Sequence, residues 1–354
     1  MARKRKDMAF SVLTPAGVAA IAVIAVEGEG AKDVVMERMK RRVGTDTLIL
    51  GKFTDREGGA IDEVIVHGQP DNDGYLEVHC HGGAAVTKAL VEELKQMGCG
   101  EISPREMMVR KHRNGAYTIL ETEALLLLNE ELTPKAAGLV RESVVVLTEA
   151  ARAGDKSLLR RLADEAGPLE KLCRTHKIAI AGAENSGKST LANALGGSSL
   201  VSEIPGTTRD AVRRLADWDG MMVEIIDTAG LGEAKTALHR EAHKRAIAAM
   251  KEAELVLWVV SNDTKEPPMP HEAKGKEFLV VNKIDQFPGR YEVGFTVSAL
   301  TGQCVDGLKK MVFHKIIGGE PKAGVFTKRQ AESVRQILAG KKPPSSLLED
   351  ILPA

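Results

Sequence analysis

One segment of the sequence combines glycines with a lysine and a serine at a spacing that suits phosphate chemistry. Gly182-Ala-Glu-Asn-Ser-Gly187-Lys188-Ser189 fits G-x-x-x-x-G-K-[ST], after an apolar stretch typical of a strand. In such a loop the backbone N–H groups and a helix N-terminus face phosphate oxygens. Lys188 would contact the β- and γ-phosphates and the Ser189 hydroxyl would hold Mg²⁺. The predicted contact residues are Asn185, Ser186, Gly187, Lys188, Ser189 and Thr190.

Three further segments follow predicted strands in the order that a guanine-nucleotide site requires. Asp227-Thr-Ala-Gly230 offers a carboxylate for Mg²⁺ and a glycine N–H that can sense a γ-phosphate. Asp285, in Asn282-Lys283-Ile284-Asp285, can accept two hydrogen bonds from guanine, and adenine would leave this acceptor unpaired. Ser298-Ala299-Leu300 suits a backbone contact to guanine O6. The predicted ligand is therefore GTP or GDP, with base contacts from Asn282, Lys283, Asp285, Ser298, Ala299 and Leu300.

Gly206-Thr207-Thr208-Arg209-Asp210 lies between the phosphate loop and Asp227. A threonine hydroxyl here can complete Mg²⁺ coordination while the γ-phosphate is present and release it after hydrolysis, which gives a two-state switch. We assign Mg²⁺ to Ser189, Thr208 and Asp227. The predicted catalytic residues of this set are Lys188, Thr207, Thr208, Asp227 and Gly230.

The Gly206–Asp210 string, together with Asn185, resembles the TrmE branch of translation-factor-like GTPases. Upstream residues fall in the order and spacing of the N-terminal domain of the tRNA-modification GTPase family MnmE (TrmE), and the similarity covers about residues 10–312. These residues are Cys80-His81-Gly82-Gly83, Pro104-x-Glu106, Arg110, Asn114-Gly115 and Glu123-Ala124.

The resemblance implies a K⁺-stimulated GTPase that acts on wobble uridine-34 of tRNA (carboxymethylaminomethyl modification) with an MnmG-like flavoprotein. It implies K⁺ at Asn185, Ser202, Ile204 and Thr207, where the cation replaces an arginine finger. It also implies a cytoplasmic homodimer formed through the N-terminal domain, which binds a tetrahydrofolate derivative. The implied folate-site residues are Cys80, His81, Gly82, Gly83, Arg110 and Asn114.

The sequence departs from the family pattern at four places, one of which is that the helical parts around residues 119–173 and 325–354 are short for the family. The family ends in a Cys-x-Gly-Lys tail, whereas this chain ends Leu348-Glu-Asp-Ile-Leu-Pro-Ala354. The family has a water-orienting glutamate twelve residues after the DTAG aspartate, where this chain has His239, with Glu241 two residues further on. His239 either positions the water or is an exposed helix residue. Ala-Tyr-Thr follows Asn114-Gly115 where the family has Lys-Leu-Asp, which would alter the folate site.

His79, Cys80 and His81 leave three interpretations open. They fit a folate-site turn, simple core packing, or a zinc site, although no second cluster supplies further ligands at useful spacing.

The pattern of apolar residues indicates the elements that hold these motifs. Strands at 178–181, 222–226, 255–260, 278–281 and near 293–297 alternate with helices near 188–195, 238–251 and 305–312, which predicts an α/β, mostly parallel, doubly wound sheet. Residues 262–276 contain three prolines and are too short and broken for a full helix. Residues 119–173 have helical periodicity with breaks at Pro134 and Gly138, and the tail is helical up to Leu338.

These patterns predict three domains. Residues 1–118 form an α+β domain with a helix near 84–97, and the resemblance implies that this domain dimerises and binds folate. Residues 119–175 and 318–354 form a shortened helical domain, into which the P-loop G domain of residues 176–317 is inserted.

Composition excludes several classes of protein. The 49 Lys+Arg and 49 Asp+Glu residues give no net charge, so the chain is not a polycationic nucleic-acid binder. Aromatic residues make up 3%, too few for a base-stacking platform. The early apolar run 18–26 is about half of the roughly 20 residues needed to span a bilayer. Four scattered cysteines fit a reducing cytoplasm better than a disulfide scaffold.

Two other functions remain open at this point. One is a regulatory GTPase, for instance in ribosome assembly, without modification chemistry. The other is a folate-binding module whose G domain does not turn over.

Overall fold

The computed structural model describes residues 7–15, 19–45, 47–69, 72–113, 117–130, 132–197, 200–203, 212–231, 237–261, 263, 267–287 and 293–350. The chain forms two compact units, one up to Thr118 and one spanning Ile119–Asp350. None of the helices in these ranges is long and apolar enough to cross a membrane.

The first unit is built on a sheet in which seven strands are described, in the order β3-β4-β5-β6-β2-β1-β7. Neighbouring strands are antiparallel except β1 and β7. The strands are β1 (Ala9–Val12), β2 (Ile21–Glu27), β3 (Met39–Gly44), β4 (Leu48–Thr54), β5 (Ala60–Gln69), β6 (Asn72–His81) and β7 (Gly100–Glu101). Three helices accompany the sheet: α1 (Ala31–Glu37), α2 (Ala84–Gln96) and α3 (Pro104–Arg113).

The two faces of this sheet differ because side chains alternate along each strand. Val64, Val66 and Val78 are buried, and Leu90 and Leu94 of α2 belong to the same core. On the opposite face the strand register aligns Val43, Leu50, Ile65 and His79 across four strands. Val43, Leu50 and Ile65 are 73%, 44% and 42% exposed, so apolar surface lies open here. We call these four residues the exposed row.

The second unit contains the predicted doubly wound sheet, in the order β14-β13-β12-β8-β11-β10-β9 among the described residues. β14, β13, β12, β8 and β11 are parallel, and β10 and β9 are antiparallel. All seven residues of β12 are buried, as expected for a strand covered on both faces. The strands are β8 (His176–Gly182), β9 (Leu200–Glu203), β10 (Val212–Trp218), β11 (Met221–Asp227), β12 (Leu255–Ser261), β13 (Glu277–Asn282) and β14 (Phe295–Thr296).

The helices of this sheet confirm the predicted alternation. They are α8 (Lys188–Gly196), α9 (Ala237–Glu252) and α10 (Val305–Ile317). Between β12 and β13, where the sequence excluded a full helix, the described residues form a short 3₁₀ turn at His271–Ala273.

The rest of the second unit is helical, as the periodicity predicted. Its helices are α4 (Ile119–Leu128), α5 (Pro134–Ala153), α6 (Lys156–Asp164), α7 (Ala166–Leu172), α11 (Lys328–Leu338) and α12 (Ser346–Glu349). The predicted break at Gly138 is wrong, because Gly138 lies inside α5, whereas Pro134 occupies the first turn of this helix. Glu123 joins the two sequence-distant parts by accepting hydrogen bonds from Arg329, Gln330 and Thr327.

The tip of the β10–β11 hairpin is fixed to the start of α5. The buried Thr133 hydroxyl donates to the Gly220 carbonyl at 2.7 Å and accepts from the Ala136 N–H at 3.2 Å, which caps α5. Lys135 pairs with Asp219 at 3.0 Å. The hairpin and this helix therefore share one buried anchor.

A second anchor lies where β8 begins. The His176 ring donates to the Glu254 carboxylate at 2.8 Å, and Arg174 donates to both oxygens of the same carboxylate at 2.9 Å. The hydrogen bond from His176 is the largest of the effects that bring the pKa of Glu254 down to about 2; the hydrogen bond from Arg174 adds to it, and burial opposes both. The ionised form of Glu254 thus stabilises the folded state.

We predict that Glu254 contributes to acid unfolding. Because its folded-state pKa lies below the ordinary 4.5, its stabilisation is present above pH 4.5 and is lost as the pH falls from 4.5 towards about 2. Glu254→Gln should be less stable than the wild type at neutral pH and lose less stability across that window. Glu252, whose pKa is also lowered to about 2, should still contribute to acid unfolding in this variant.

Urea unfolding at several pH values measures this effect, followed by the fluorescence of Trp218 and Trp258, the only tryptophans of the sequence and both in this unit. Glu142→Gln, an exposed change on α5, is the matched control. Parallel pH profiles for the wild type and Glu254→Gln would contradict the prediction.

Candidate functional site

The candidate site lies at the carboxyl ends of the parallel strands, where ligands bind in open α/β sheets. The predicted phosphate loop runs from Gly182, the last residue of β8, to Lys188, the first of α8. Gly182 has φ +136°, and a Cβ there would lie 2.1 Å from the Val259 carbonyl oxygen. Asn185 and Gly187 also have positive φ, 59° and 86°. Asparagine and glycine are the residues that adopt this conformation at low cost, so the sequence suits the curvature of the loop.

Lys188 points into the loop that it follows. Its Nζ atom donates to the Ala183 carbonyl at 2.6 Å, and its side chain is buried in the site. Burial lowers the pKa of Lys188, and the charges of Asp227 and Glu184 oppose this shift. A buried ammonium group held by a carbonyl oxygen is well placed to exchange that partner for phosphate oxygens.

The Asp227–Gly230 segment lies directly against the phosphate loop. The Thr228 hydroxyl donates to the Ile180 carbonyl at 2.8 Å, and the Leu231 N–H donates to the Gly182 carbonyl at 3.0 Å. Gly230 is so close to Glu184 that a Cβ on it would lie 2.7 Å from the Glu184 Cγ atom. The structure thus brings the two predicted phosphate-facing segments together.

Asp227 has the environment of a cation ligand. Burial raises its pKa, whereas a hydrogen bond from the Ser189 hydroxyl and the charge of Lys188 lower it. Its buried Oδ1 atom has no hydrogen-bond partner among the described residues. A buried carboxylate oxygen beside a hydroxyl is the kind of oxygen donor set that Mg²⁺ takes, so these residues fit that ion.

Asn282 connects the phosphate loop to the predicted base-binding loop. Its buried side-chain amide donates to the Ser186 carbonyl at 2.9 Å and accepts from the Ala299 N–H at 2.9 Å. Gly187 is confined by the same side chain, because a Cβ there would lie 2.3 Å from Asn282 Nδ2. One amide therefore sets the distance between the two halves of the site.

The remaining base-site residues lie around Asn282. Asp285 is exposed at the loop after β13, where its carboxylate is free to meet a ligand from solvent. Ser298 is buried and its hydroxyl accepts from the Thr301 N–H, while Leu300 is 69% exposed. Lys283 pairs with Asp263 at 2.8 Å. The predicted base-binding residues thus share one end of the sheet.

Some of the predicted site residues lie in parts of the chain that the structure does not describe. Ile204, Thr207, Thr208 and Asn114 lie outside the described residues, as do the side chains of Ser202 in β9 and His239 in α9. Of the predicted K⁺ ligands, the structure describes the side chain of Asn185.

The predicted folate residues of the first unit are only partly brought together. Gly82 lines a cavity of about 560 Å³, together with apolar side chains and Thr14, Thr87 and Lys88. A Cβ on Gly82 would lie 2.2 Å from the Ala19 carbonyl oxygen. Arg110 instead donates to the Asp7 carbonyl and approaches Glu27 at 3.7 Å.

The neighbouring residues have different environments. Cys80 is buried, and burial raises the pKa of its thiol. His81 is exposed and pairs with Asp62 at 2.8 Å, and Gly83 precedes α2. Within the described ranges no group of three or more His, Cys, Asp or Glu residues has a metal-binding arrangement.

Three residues of the candidate site were not predicted from the sequence: Glu184, Thr228 and Asp263. Glu184 and Thr228 occupy the variable positions of their motifs, so no pattern singled them out. Asp263 follows β12, and its partnership with Lys283 depends on two strands that are adjacent only in the folded sheet.

The two units match two different family models. Residues 8–118 match the family described as "GTP-binding protein TrmE N-terminus", and residues 177–285 match the family described as "50S ribosome-binding GTPase".

Some relatives are similar to this chain over most of its length, which includes both of the matched regions. The tRNA modification GTPase MnmE of Thermus thermophilus is 31% identical over 396 aligned positions, which cover 98% of this chain and 91% of the relative. The protein of the same name from Alkalilimnicola ehrlichii is 31% identical over 355 positions, which cover 84% of this chain and 80% of the relative. The chain therefore belongs to the MnmE family of tRNA modification GTPases, and it is a GTP-hydrolysing enzyme.

Proposed function

We propose that this enzyme is a K⁺-stimulated GTPase that acts in the carboxymethylaminomethyl modification of wobble uridine-34 in tRNA. The observation that carries the nucleotide part of the proposal is the convergence of three loops on one site, with the amide of Asn282 bonded to both Ser186 and Ala299. These hydrogen bonds position the loops relative to one another, and catalysis of phosphoryl transfer depends mainly on positioning and electrostatics. The whole-chain similarity to the tRNA modification GTPase MnmE of Thermus thermophilus supports the tRNA part.

In this proposal each loop has a separate task. Lys188 neutralises charge on the β- and γ-phosphates, and the Gly230 N–H contacts the γ-phosphate. Ser189, Asp227 and Thr208 would hold Mg²⁺, which supplies further positive charge when bound. Asp285 selects guanine, with Asn282, Lys283, Ser298, Ala299 and Leu300 around the base. Thr207, Thr208 and His239 complete the proposed catalytic set.

K⁺ would be held beside the phosphate loop by Asn185, Ser202, Ile204 and Thr207. Asn185 supports this role because it is exposed and its φ of 59° belongs to the curved part of the loop. A monovalent cation there adds positive charge near the phosphates without an arginine side chain.

The first unit supports two further parts of the proposal. Val43, Leu50 and Ile65 of the exposed row offer an apolar surface of the kind that a second copy covers, so we propose a homodimer formed through this unit. The cavity beside Gly82 has the size of a small-ligand site, and we propose that it takes a tetrahydrofolate derivative.

We further propose a cytoplasmic enzyme that works with an MnmG-like flavoprotein and tRNA. Its second unit would comprise an inserted G domain, residues 176–317, and a helical domain of residues 119–175 and 318–354.

The K⁺ proposal predicts the behaviour of Asn185 variants. Steady-state GTP hydrolysis should be faster in K⁺ than in Na⁺ for the wild type, and Asn185→Ala should remove most of that difference while GDP affinity stays within about twofold. Asn185→Gly controls for the backbone, since glycine accepts a positive φ and also lacks the amide. Equal salt responses of wild type and both variants would refute the role of Asn185.

The base-site proposal predicts that Asp285→Asn relaxes guanine preference. The carboxamide replaces one acceptor oxygen by a donor that faces guanine donors, so GDP affinity should fall by about tenfold or more. Competition of GTP, ATP and xanthosine triphosphate for labelled GDP measures the change, and xanthosine should gain from the new donor. Asp306→Asn, an exposed change on α10, is the control. Undiminished preference for GTP over ATP in Asp285→Asn would contradict the assignment.

The modification proposal is tested by mass spectrometry of tRNA from a strain that lacks this protein. Carboxymethylaminomethyl groups at uridine-34 should disappear and return with the wild-type gene, but not with a Lys188→Ala gene. Unchanged uridine-34 in the deletion strain would refute the proposal. The match of residues 177–285 to a family described as ribosome-binding would then favour a ribosomal role, tested by sedimentation of the protein with 50S subunits in GTP.

A further inference from the structure

Glu184 is a carboxylate inside the phosphate loop, at a position that the loop motif leaves open. A Cβ built on Gly230 would lie 2.7 Å from Glu184 Cγ, 2.8 Å from Glu184 Cα and 3.1 Å from Lys188 Nζ. The stem of Glu184, the lysine ammonium and the Gly230 backbone therefore surround one small space. The charge of Glu184 acts on Lys188 and raises its pKa against the effect of burial.

This space corresponds to the γ end of the nucleotide in the proposed function, on which the inference rests. Lys188 serves the β- and γ-phosphates and the Gly230 N–H serves the γ-phosphate, so a side chain in contact with Gly230 and close to Lys188 lies beside the γ-phosphate. Glu184 is exposed, whereas Lys188 beside it is buried. The side chain of Glu184 is thus accessible to water.

We propose that Glu184 positions the water that attacks the γ-phosphate of GTP. Its carboxylate accepts a hydrogen bond from the water and turns a lone pair of the water oxygen towards phosphorus. A bond forms between the water oxygen and the γ-phosphorus, and the bond to the β–γ bridging oxygen breaks with its electron pair remaining on GDP. Both water protons leave with the inorganic phosphate, and Glu184 is unchanged.

A departure from the family pattern provides a reason for this role. The position twelve residues after Asp227, where the family has its water-orienting glutamate, is His239 in this chain. A carboxylate in the phosphate loop supplies an acceptor of the same kind from another element. It also carries a cost, because a negative charge beside a triphosphate weakens GTP binding relative to GDP.

The test compares Glu184→Gln, which keeps shape but removes the charge, with Glu149→Gln, an exposed change on α5. For Glu184→Gln, kcat should fall by about tenfold or more and KM for GTP should not rise. Affinity for labelled GDP should stay within about twofold, while affinity for a slowly hydrolysed GTP analogue increases, because the repulsion is gone. Glu184→Asp should recover part of kcat. Glu149→Gln should match the wild type.

Two results would overturn the inference without touching the proposed function: an unchanged kcat in Glu184→Gln, or a loss of GDP and GTP-analogue affinity in parallel, which would mark a structural residue. If His239→Ala abolished kcat while Glu184→Gln had the kcat of the wild type, His239 of α9 would be the residue that positions the attacking water. Absence of GTP hydrolysis by the wild type would instead refute the proposed function, and the inference with it.

Discussion

The nucleotide site depends on one buried amide. Asn282 presents a donor to the phosphate loop and an acceptor to the loop after β14, and no shorter or purely apolar side chain can do both. Its position is set by the parallel pairing of β13 with β12, which ends with Asn282 opposite Ser261. Loss of the amide would leave a buried carbonyl and a buried N–H unpaired, which is more costly than the loss of one exposed hydrogen bond. The close approach of Gly187 follows from the same packing.

A second constraint links the site to the helices of the same unit. The β10–β11 hairpin ends at Asp227, and its far tip is held by the hydroxyl that caps α5. The single hydroxyl oxygen of Thr133 donates to Gly220 and accepts from Ala136. If the tip moved, α5 would lose its N-terminal cap and the buried Gly220 carbonyl would lose its hydrogen-bond partner. The tip is therefore a poor place for movement.

The strands that were predicted correctly from the sequence are those whose apolar pattern lies within one short run of residues. β8, β12 and β13 are apolar runs bounded by the loops of the motifs, so pattern and position agree. β10 was missed because its residues Arg213 and Arg214 look like surface, yet Arg213 is held by Glu224 at 2.6 Å and by Glu252 at 2.9 Å. These carboxylates come from β11 and α9, which only the fold brings near. β3 was missed for a similar reason, since its strand character comes from pairing with β4. Gly138 misled the prediction because a single glycine costs an otherwise strong 20-residue helix only about 1 kcal/mol.

The candidate site was also predictable only where local sequence patterns identify its residues. The motifs identified residues whose types are required by phosphate and guanine chemistry. The described ones lie at the carboxyl ends of the parallel strands. Glu184 stood at a variable position, so its importance depends on the contact with Gly230, which the chain order does not reveal. Thr228 likewise owes its role to the Ile180 carbonyl of a neighbouring strand.

The electrostatics of the site explain why a charged nucleotide is its natural occupant. Burial outweighs mutual attraction for both Lys188 and Asp227, so the pKa of the lysine is lowered and that of the aspartate is raised. Burial thus disfavours the charged form of each group, and the lysine donates to a carbonyl of its own loop. Phosphate oxygens would bring further negative charge to Lys188, and a divalent cation would bring further positive charge to Asp227. Neither partner alone would satisfy both groups, which favours binding of the nucleotide together with its metal ion.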